Sequence, residues 1–270
     1  MTHIALDEVT STNTWLAQHA AELPDLTMVT AARQTAGRGQ RGNSWESEPG
    51  ANLTFSLLIR PECVPARSQF SISEATALAV TDLLAAYDVT ATVKWPNDIY
   101  VGDRKICGIL IEHAVMGTSI MHSIIGAGLN VNQTRFLSDA PNPVSLRQLA
   151  VASAFASPAS SSSASGFPPV YDLETLRTQL GTMLEERLAA VSTQTGRDST
   201  HAVFLQRLYR GNGRFYSYRD RATGLTFEAA IADIEPMGFL HLRLPDGTDR
   251  SYAFKEVEYL LPPQSPLLSE

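Results

Sequence analysis

The chain has 270 residues, 44% of them hydrophobic, and carries a net charge of −7 at neutral pH. That size predicts one large domain or a medium domain with a small one, and the negative charge argues against general binding to nucleic acid. The two cysteines form no metal or disulfide pattern, the N-terminal residues lack the basic and apolar regions of a signal peptide, and no apolar run is long enough to span a membrane. We therefore expect a soluble cytoplasmic protein.

Strands and one helix make up the first predicted elements. Residues 3–6 and 27–33 have the composition of strands, and apolar residues at helical spacing predict a helix over 14–23. The tripeptide Ser-Thr-Asn at 11–13 stands directly before that helix. Such residues commonly cap a helix, but together with the free N–H groups of the first turn they could also hold the polar groups of a ligand. The sequence leaves both interpretations open.

The loop over residues 34–45, Gln-Thr-Ala-Gly-Arg-Gly-Gln-Arg-Gly-Asn-Ser-Trp, is the most distinctive stretch. Its glycines allow the backbone to approach a ligand closely, and Arg38 and Arg41 offer planar donors for carboxylate or phosphate oxygens. The glycine spacing also matches the dinucleotide-binding fingerprint, but a turn-like segment follows where that motif requires a helix. We therefore interpret the loop as a wrap around an anionic small molecule.

The middle of the chain combines strands with a long helix. Residues 51–60 predict a strand, and apolar residues at helical spacing predict a helix over 68–87. Residues 89–131 contain β-rich segments with turns at 102–104 and 116–118. We expect the long helix to pack on a sheet formed by these strands.

The composition changes between residues 150 and 170. This Ser- and Pro-rich segment offers no apolar face to bury, so we interpret it as a surface insertion loop. Helical periodicity returns over residues 171–191 and 201–209.

The last part of the chain is rich in short strands. Residues 226–234, 239–244 and 251–261 predict strands separated by turns, which suggests a small β-barrel. We place the domain boundary accordingly, with residues 1–215 as the first domain and 216–270 as the second.

Three further stretches carry polar residues at strand ends. Lys-Trp-Pro-Asn-Asp at 94–98 presents an amide and a carboxylate suited to polar groups or Mg²⁺, although Pro-Asn-Asp is also common in turns. Lys105 begins a strand in which Gly108 permits close approach, although a lone edge lysine usually extends to solvent. Gly-Ala-Gly-Leu-Asn-Val-Asn at 126–132 adds glycines and amides, for which tight sheet packing is the alternative.

Taken in order, these stretches resemble the biotin–protein ligases. That family's hallmarks are a Ser-Thr-Asn start, a Gly-Arg-Gly-x-Arg-Gly loop followed by Trp, a Lys-Trp-Pro-Asn-Asp segment, a Lys-x-x-Gly-Ile-Leu-x-Glu strand and a Gly-x-Gly-x-Asn strand, and all are present. The resemblance covers residues 3–135 closely, the β-rich tail loosely and residues 150–170 not at all. Only ten residues precede Ser11, so we expect the short form of the family, without an N-terminal DNA-binding domain.

The resemblance implies an α+β fold and a two-step reaction. The fold would be a mixed sheet with helices, like the catalytic domain of class II aminoacyl-tRNA synthetases, followed by a C-terminal SH3-like β-barrel. With ATP and Mg²⁺, biotin would form biotinoyl-5'-AMP and release pyrophosphate, and a lysine of a biotin carboxyl carrier protein would then displace AMP. The implied partner is therefore a carrier subunit of acetyl-CoA carboxylase or another biotin-dependent carboxylase, without DNA or membrane, and the chain could form a homodimer.

The site residues implied by the resemblance carry over by position. Those expected at the biotin site are Ser11, Thr12, Asn13, Gln34, Gly37, Arg38, Lys105 and Gly108. Those expected at the ATP site are Arg38, Arg41, Trp45, Asn97, Lys105 and Asn130. The expected catalytic residues are Lys105, Arg38 and Asp98. Lys105 would stabilise charge between the carboxylate and the α-phosphate without reacting covalently, and Asp98 would face the incoming lysine amine. The resemblance identifies no metal ligands.

Two positions depart from the family loop. Arginine is frequent where this chain has Gln40, and a basic residue is frequent where it has Asn43. Glutamine keeps hydrogen bonding but loses the charge, so we expect the adenylate to be held less tightly than in relatives with arginine there.

Two other functions stay open. A lipoate–protein ligase shares the fold and the chemistry, but its substrate needs an apolar tunnel in place of contacts to a ureido ring. A non-catalytic regulator that binds biotinoyl-AMP and DNA is disfavoured by the acidic charge. Parallel transfer assays with biotin and lipoate separate the first alternative, and a gel shift separates the second.

Overall fold

The structure, a computed structural model, describes residues 1–138, 142–156 and 169–260, without the side chains of residue 41 and residues 153–156. Within these residues, seven strands form one mixed sheet. They are β1 (Thr2–Val9), β2 (Thr27–Gln34), β3 (Leu53–Ile59), β4 (Thr92–Lys94), β5 (Asp98–Val101), β6 (Arg104–Met116) and β7 (Ser119–Leu129). The order across the sheet is β1-β2-β3-β7-β6-β5-β4, with β1 and β2 parallel and the other neighbours antiparallel.

Helices cover both faces of this sheet. Those in the described part of the chain are α1 (Thr12–His19), α2 (Phe70–Ala85), α3 (Leu146–Ala156), α4 (Leu173–Ala190) and α5 (Gln194–Gln206). Helix α1 contacts β2, β3 and β7, whereas α2 contacts β4, β5, α4 and α5. Strand β3 is buried along its whole length between the two layers. Its Leu58 packs in the cluster with Leu16 of α1, and its Leu57 belongs to the main core with α2, because successive side chains of a strand point to opposite faces.

A second sheet, antiparallel and five-stranded, follows in the described residues. Its strands are β8 (Tyr216–Asp220), β9 (Thr226–Ile234), β10 (Leu240–Arg243), β11 (Asp249–Tyr252) and β12 (Val257–Tyr259), in the order β11-β10-β9-β8-β12. Trp95, which precedes β5, joins the two sheets: it is buried, its Nε1 donates to the Gly238 carbonyl at 3.0 Å, and its ring packs edge-on against Phe254. This tryptophan therefore has a structural role between the sheets.

The predicted α+β class, a mixed sheet with helices and a small C-terminal β domain, is confirmed. No helix in the described residues is long and apolar enough to cross a membrane. The boundary placed between residues 215 and 216 stays a prediction.

Three element predictions need correction. Helix α1 begins at Thr12 and not at residue 14, so Thr12 and Asn13 lie in its first turn. Helix α3 continues through residues 150–156, where we predicted a loop, because alanines favour the helix and Leu149 packs on the core; residues 157–168 lie outside the described residues. The strand predicted over 251–261 is divided into β11 and β12 by a turn with Lys255 at φ +71°.

His201 links helices α5 and α2 to strand β9 of the C-terminal sheet. His201 of α5 places Nδ1 2.7 Å from Glu74 Oε1 of α2 and Nε2 3.0 Å from Asp233 Oδ1 of β9. The hydrogen bond with buried Glu74 raises the pKa of His201 to about 9, against the opposing effect of burial. Because this pKa lies above the ordinary value of 6.5, the imidazolium contributes its full stability below about pH 6.5 and loses it as the pH rises through 9.

We therefore expect His201→Gln to lower the free energy of unfolding by about 1–2 kcal/mol at pH 6 and by much less at pH 9.5. Denaturant unfolding at both pH values measures the difference, with His122→Gln as a control outside this cluster. An equal loss at both pH values would contradict the charged state of His201.

Candidate active site

One cavity of about 1350 Å³ lies between the end of the seven-stranded sheet, the loop over 34–45 and the C-terminal sheet. It brings together most of the residues singled out in the sequence. Those on its wall are Ser11, Thr12, Asn13, Gln34, Arg38, Trp45, Asn97, Asp98, Lys105, Gly108 and Asn130. Gly37 does not line the cavity, and the side chain of Arg41, in the 3₁₀ helix Gln40–Gly42, lies outside the described residues.

Gly37 has a packing role that explains its position. A Cβ there would lie 2.5 Å from the Trp45 carbonyl oxygen, so only glycine allows the two ends of the loop to come together. The loop closes as a hairpin, in which Trp45 N–H donates to the Gly37 carbonyl at 3.0 Å and Gly39 N–H donates to the Asn43 carbonyl at 2.7 Å. These contacts direct the Trp45 ring into the cavity.

The start of α1 forms a polar recess in the cavity wall. The Gln34 side chain at the end of β2 accepts from Thr12 N–H at 2.8 Å, so this glutamine satisfies a free donor of the first turn. Ser11 takes the N-cap position but makes no capping bond with its side chain. Since Ser11, Thr12 and Asn13 are all buried, their polar atoms must be hydrogen-bonded within the protein or to a bound molecule.

Asn13 is fixed by three partners from two strands, β3 and β6. Its Nδ2 donates to Glu112 Oε2 at 2.9 Å and to the Leu110 carbonyl at 3.3 Å, and its Oδ1 lies 2.5 Å from Ser56 Oγ. Glycine is required opposite it, because a Cβ at Gly126 would lie 2.0 Å from Asn13 Oδ1. The recess therefore has donors and acceptors in fixed positions.

Lys105 and Asp98 form an ion pair on the neighbouring strands β6 and β5. Lys105 Nζ lies 2.7 Å from Asp98 Oδ1, and both side chains are 24% exposed. The ammonium also lies 5.5 Å from the centre of the Trp45 ring. The pair thus places one cation and one carboxylate at the cavity surface, next to an aromatic ring.

Two glycines shape the floor beneath Trp45. A Cβ at Gly128 would lie 2.3 Å from Trp45 Cε2, and a Cβ at Gly108 would lie 2.9 Å from Trp45 Cζ3. Trp45 Nε1 is buried without a hydrogen-bond partner in the described residues. The ring therefore packs closely over β6 and β7, where glycine leaves room for it.

The two predicted asparagines on the nucleotide side are both partly engaged by the backbone. Asn97 Nδ2 donates to the Ile109 carbonyl, and Asn130 Nδ2 donates to the Val144 carbonyl at 3.1 Å. Asn130 Oδ1 is buried and has no partner among the described residues. Asn130 therefore offers an acceptor to the cavity, whereas Asn97 chiefly fixes the turn before β5.

The C-terminal sheet supplies wall residues that the sequence did not indicate. Arg221, Lys255 and Glu258 line the cavity, and Arg221 Nε lies 3.3 Å from Glu258 Oε2. Lys94 of β4 also lines the cavity, but its ammonium lies between the Tyr100 and Tyr259 rings, where burial lowers its pKa. No local pattern singles out these residues, because the folding of the second sheet against the first brings them to the site.

Ser56 and Glu112 were also missed as site residues. Ser56 Oγ lies 2.7 Å from Thr12 Oγ1, and Glu112 pairs with Arg38 at 2.8 Å. A serine in the middle of the apolar run of β3 was the one signal that could have identified Ser56.

Comparison with known proteins gives one family. Residues 4–130 match the Biotin/lipoate A/B protein ligase family. The chain is 35% identical over 134 residues to the bifunctional ligase/repressor BirA of Bacillus spizizenii, an alignment covering 48% of this chain and 41% of BirA. It is 36% identical over 148 residues to the biotin–[acetyl-CoA-carboxylase] ligase of Mycobacterium tuberculosis, covering 53% of each protein. The chain thus spans about half the length of the curated relatives it matches.

Solved structures extend the likeness to the whole fold. The structure of biotin protein ligase from Aquifex aeolicus in complex with biotin and ATP superposes with a TM-score of 0.74, covering 96% of this chain and 99% of that one at 20% identity. Biotin protein ligase from Leishmania major in complex with biotin has a TM-score of 0.58 at 22% identity, covering 94% and 98%. At this level of identity, the likeness shows a shared fold across both sheets.

Proposed function

Since residues 4–130 belong to the biotin/lipoate A/B protein ligase family, we propose that the protein attaches biotin to a lysine of a biotin carboxyl carrier protein, through biotinoyl-5'-AMP. The observation that carries this proposal is that one cavity contains the polar recess at α1, Lys105 and Trp45. The curated relatives named for biotin ligation support it. A cytoplasmic location and a homodimer remain predictions.

The recess at α1 favours biotin over lipoate. A ureido ring has two N–H donors and a carbonyl acceptor, and the recess presents the hydroxyls and amides of Ser11, Thr12, Asn13 and Gln34. An apolar dithiolane would offer no partner to the remaining hydrogen-bonding capacity of these buried groups, which is costly. The family nevertheless includes lipoate ligases, so lipoate is the comparison substrate in the test below.

In the first step, a carboxylate oxygen of biotin attacks the α-phosphorus of ATP and the bond to pyrophosphate breaks. An ammonium has three N–H donors, and Asp98 takes one of those of Lys105 at 2.7 Å. The others can reach the carboxylate and the α-phosphate, where negative charge gathers. A fixed cation there stabilises the transition state.

In the second step, the amine of the carrier lysine attacks the acyl carbon and the bond to AMP breaks. The amine must lose a proton on the way to the amide. Asp98 lies at the cavity surface beside Lys105, and we assign it to orient that amine and receive the proton.

The nucleotide side of the cavity is aromatic and cationic. Trp45 would flank the adenine, and Lys255 and the Glu258-paired Arg221, which also line the cavity, would contribute positive charge for the phosphates. Among the described residues, no three His, Cys, Asp or Glu side chains cluster as a metal site. A Mg²⁺ ion would therefore bind as a complex with the phosphates of ATP and neutralise part of their charge.

Transfer to a carrier tests the proposal. The protein is incubated with Mg·ATP and either biotin with a biotin carboxyl carrier domain or lipoate with a lipoyl domain, and the mass of each carrier is measured. We expect one biotinoyl group on the carrier and none on a variant in which its target lysine is arginine. Transfer of lipoate to a lipoyl domain without transfer of biotin would replace the proposal with the lipoate alternative.

Gln40 provides a test of how firmly the intermediate is held. It lies on the cavity wall, and its Oε1 is buried without a partner in the described residues. We expect Gln40→Arg to slow the release of biotinoyl-AMP by about three- to tenfold, because a charged donor binds an anion more strongly than an amide. Single-turnover release from wild type and variant measures this, and equal rates would contradict it.

A further inference from the structure

The carboxylate of Glu112, which does not line the cavity, contacts two separate parts of the candidate site. Glu112 of β6 accepts from Arg38 through both oxygens: Nη2 donates to Oε1 at 2.8 Å and Nη1 donates to Oε2 at 3.2 Å. Oε2 also accepts from Asn13 Nδ2 at 2.9 Å. The loop that carries Arg38 and the first turn of α1 therefore meet on the same side chain.

Hydrogen bonds continue from Glu112 through the whole recess. Asn13 Oδ1 lies 2.5 Å from Ser56 Oγ, and Ser56 Oγ lies 2.7 Å from Thr12 Oγ1. Thr12 N–H in turn donates to Gln34 at 2.8 Å. A change at Glu112 thus reaches the residues that surround the ureido position, although Glu112 itself does not line the cavity.

The pairing orients the guanidinium of Arg38 without using all of it. A guanidinium has five N–H donors, and Glu112 takes one from each terminal nitrogen. Three N–H bonds, including that of Nε, remain for an anion. Two parallel bonds to a carboxylate also fix the plane of the group, which a single contact would not.

We propose that Glu112 is a positioning residue of the ligation site, which holds Arg38 toward the adenylate and Asn13 toward biotin through one carboxylate. This inference rests on the proposed function. It predicts that the loop and the biotin recess respond together when the charge of Glu112 is removed.

The first arm of the test needs no ligand. Glu112→Gln keeps the shape of the side chain but turns one acceptor of Arg38 into a donor. We expect a protease of broad specificity to cut within residues 36–48 about fivefold faster in this variant, as expected for loss of a partly exposed ion pair. Glu8→Gln is the matched control, because the Glu8–Arg33 pair is also an exposed arginine–carboxylate contact, at 2.7 Å. The protease should cleave this control at the same rate as wild type.

The second arm measures biotin affinity and single-turnover release of biotinoyl-AMP in wild type, Arg38→Ala, Glu112→Gln and the double variant. We expect Glu112→Gln to weaken biotin binding and to speed adenylate release, whereas Arg38→Ala speeds release only. In the double variant, release should be faster than in Arg38→Ala by less than the factor that Glu112→Gln gives in wild type, since part of the Glu112 effect acts through Arg38. Glu112→Asp, which keeps the charge on a shorter side chain, should be intermediate.

Either of two results would overturn the role: independent, multiplying effects of the two substitutions on release, or a Glu112→Gln protein that matches Glu8→Gln in both arms. If wild type forms no adenylate, the proposed function fails, and the protease arm alone then decides whether Glu112 holds the loop. Melting temperatures confirm that each variant is folded.

Discussion

Replacing Lys105 with alanine should reduce biotin-dependent pyrophosphate release by about 100- to 1000-fold, the loss typical of one charge-stabilising group in a transition state. Its ammonium stands at the cavity surface between Asp98 and the Trp45 ring, where the carboxylate and the α-phosphate would meet. Biotin binding should change little, because the recess at α1 does not depend on this side chain.

The matched control for Lys105→Ala is Arg104→Ala. Arg104 is the preceding residue of β6 and does not line the cavity, so its loss removes a neighbouring cation without touching the site. Pyrophosphate release is measured with and without biotin for both variants, and biotin affinity is measured by calorimetry. Near-normal pyrophosphate release by Lys105→Ala would show that this lysine does not stabilise the transition state of adenylate formation.

Substituting alanine for Gly126 and for Gly128 should weaken the binding of two different ligands. A Cβ at Gly126 would lie 2.0 Å from Asn13 Oδ1, and a Cβ at Gly128 would lie 2.3 Å from the Trp45 ring. Overpacking of this kind costs about 1–3 kcal/mol, so each substitution should weaken one ligand by about tenfold or more. We expect Gly126→Ala to weaken biotin binding and Gly128→Ala to weaken ATP binding.

Gly181→Ala in α4 serves as the control for adding a methyl group, since a Cβ there meets only Met1 Sδ at 3.5 Å. Equilibrium binding of biotin and of an ATP analogue is measured for all three variants. If both site variants weakened the same ligand, the assignment of Asn13 to biotin and Trp45 to the nucleotide would be wrong.

Much of the site could be predicted from the sequence because its residues lie in short motifs at strand ends. The loop with Arg38 and Trp45, the ion-paired Asp98 and Lys105, and the glycines of β7 each stand out locally. Buried strands such as β3 show themselves as apolar runs. The fold then brings these motifs to one cavity.

The remaining site residues depend on contacts between elements distant in sequence. Glu112 meets Arg38 across 74 positions, and Ser56 meets Asn13 across 43; neither pairing has a local signature. Trp95 stands in a motif that indicated function, yet it binds the Gly238 carbonyl of the C-terminal sheet. The extent of α3 was missed because Ser and Pro downstream outweighed the alanines that continue the helix.

The most direct test of the central claim is the formation of the intermediate itself. The protein is incubated with Mg·ATP and biotin, without a carrier, and the products are resolved by mass spectrometry beside a parallel reaction with lipoate. Biotinoyl-AMP and pyrophosphate in equal amounts, with no more than a trace of lipoyl-AMP, is the result that the cavity predicts. Absence of biotinoyl-AMP from folded protein that binds ATP would contradict it.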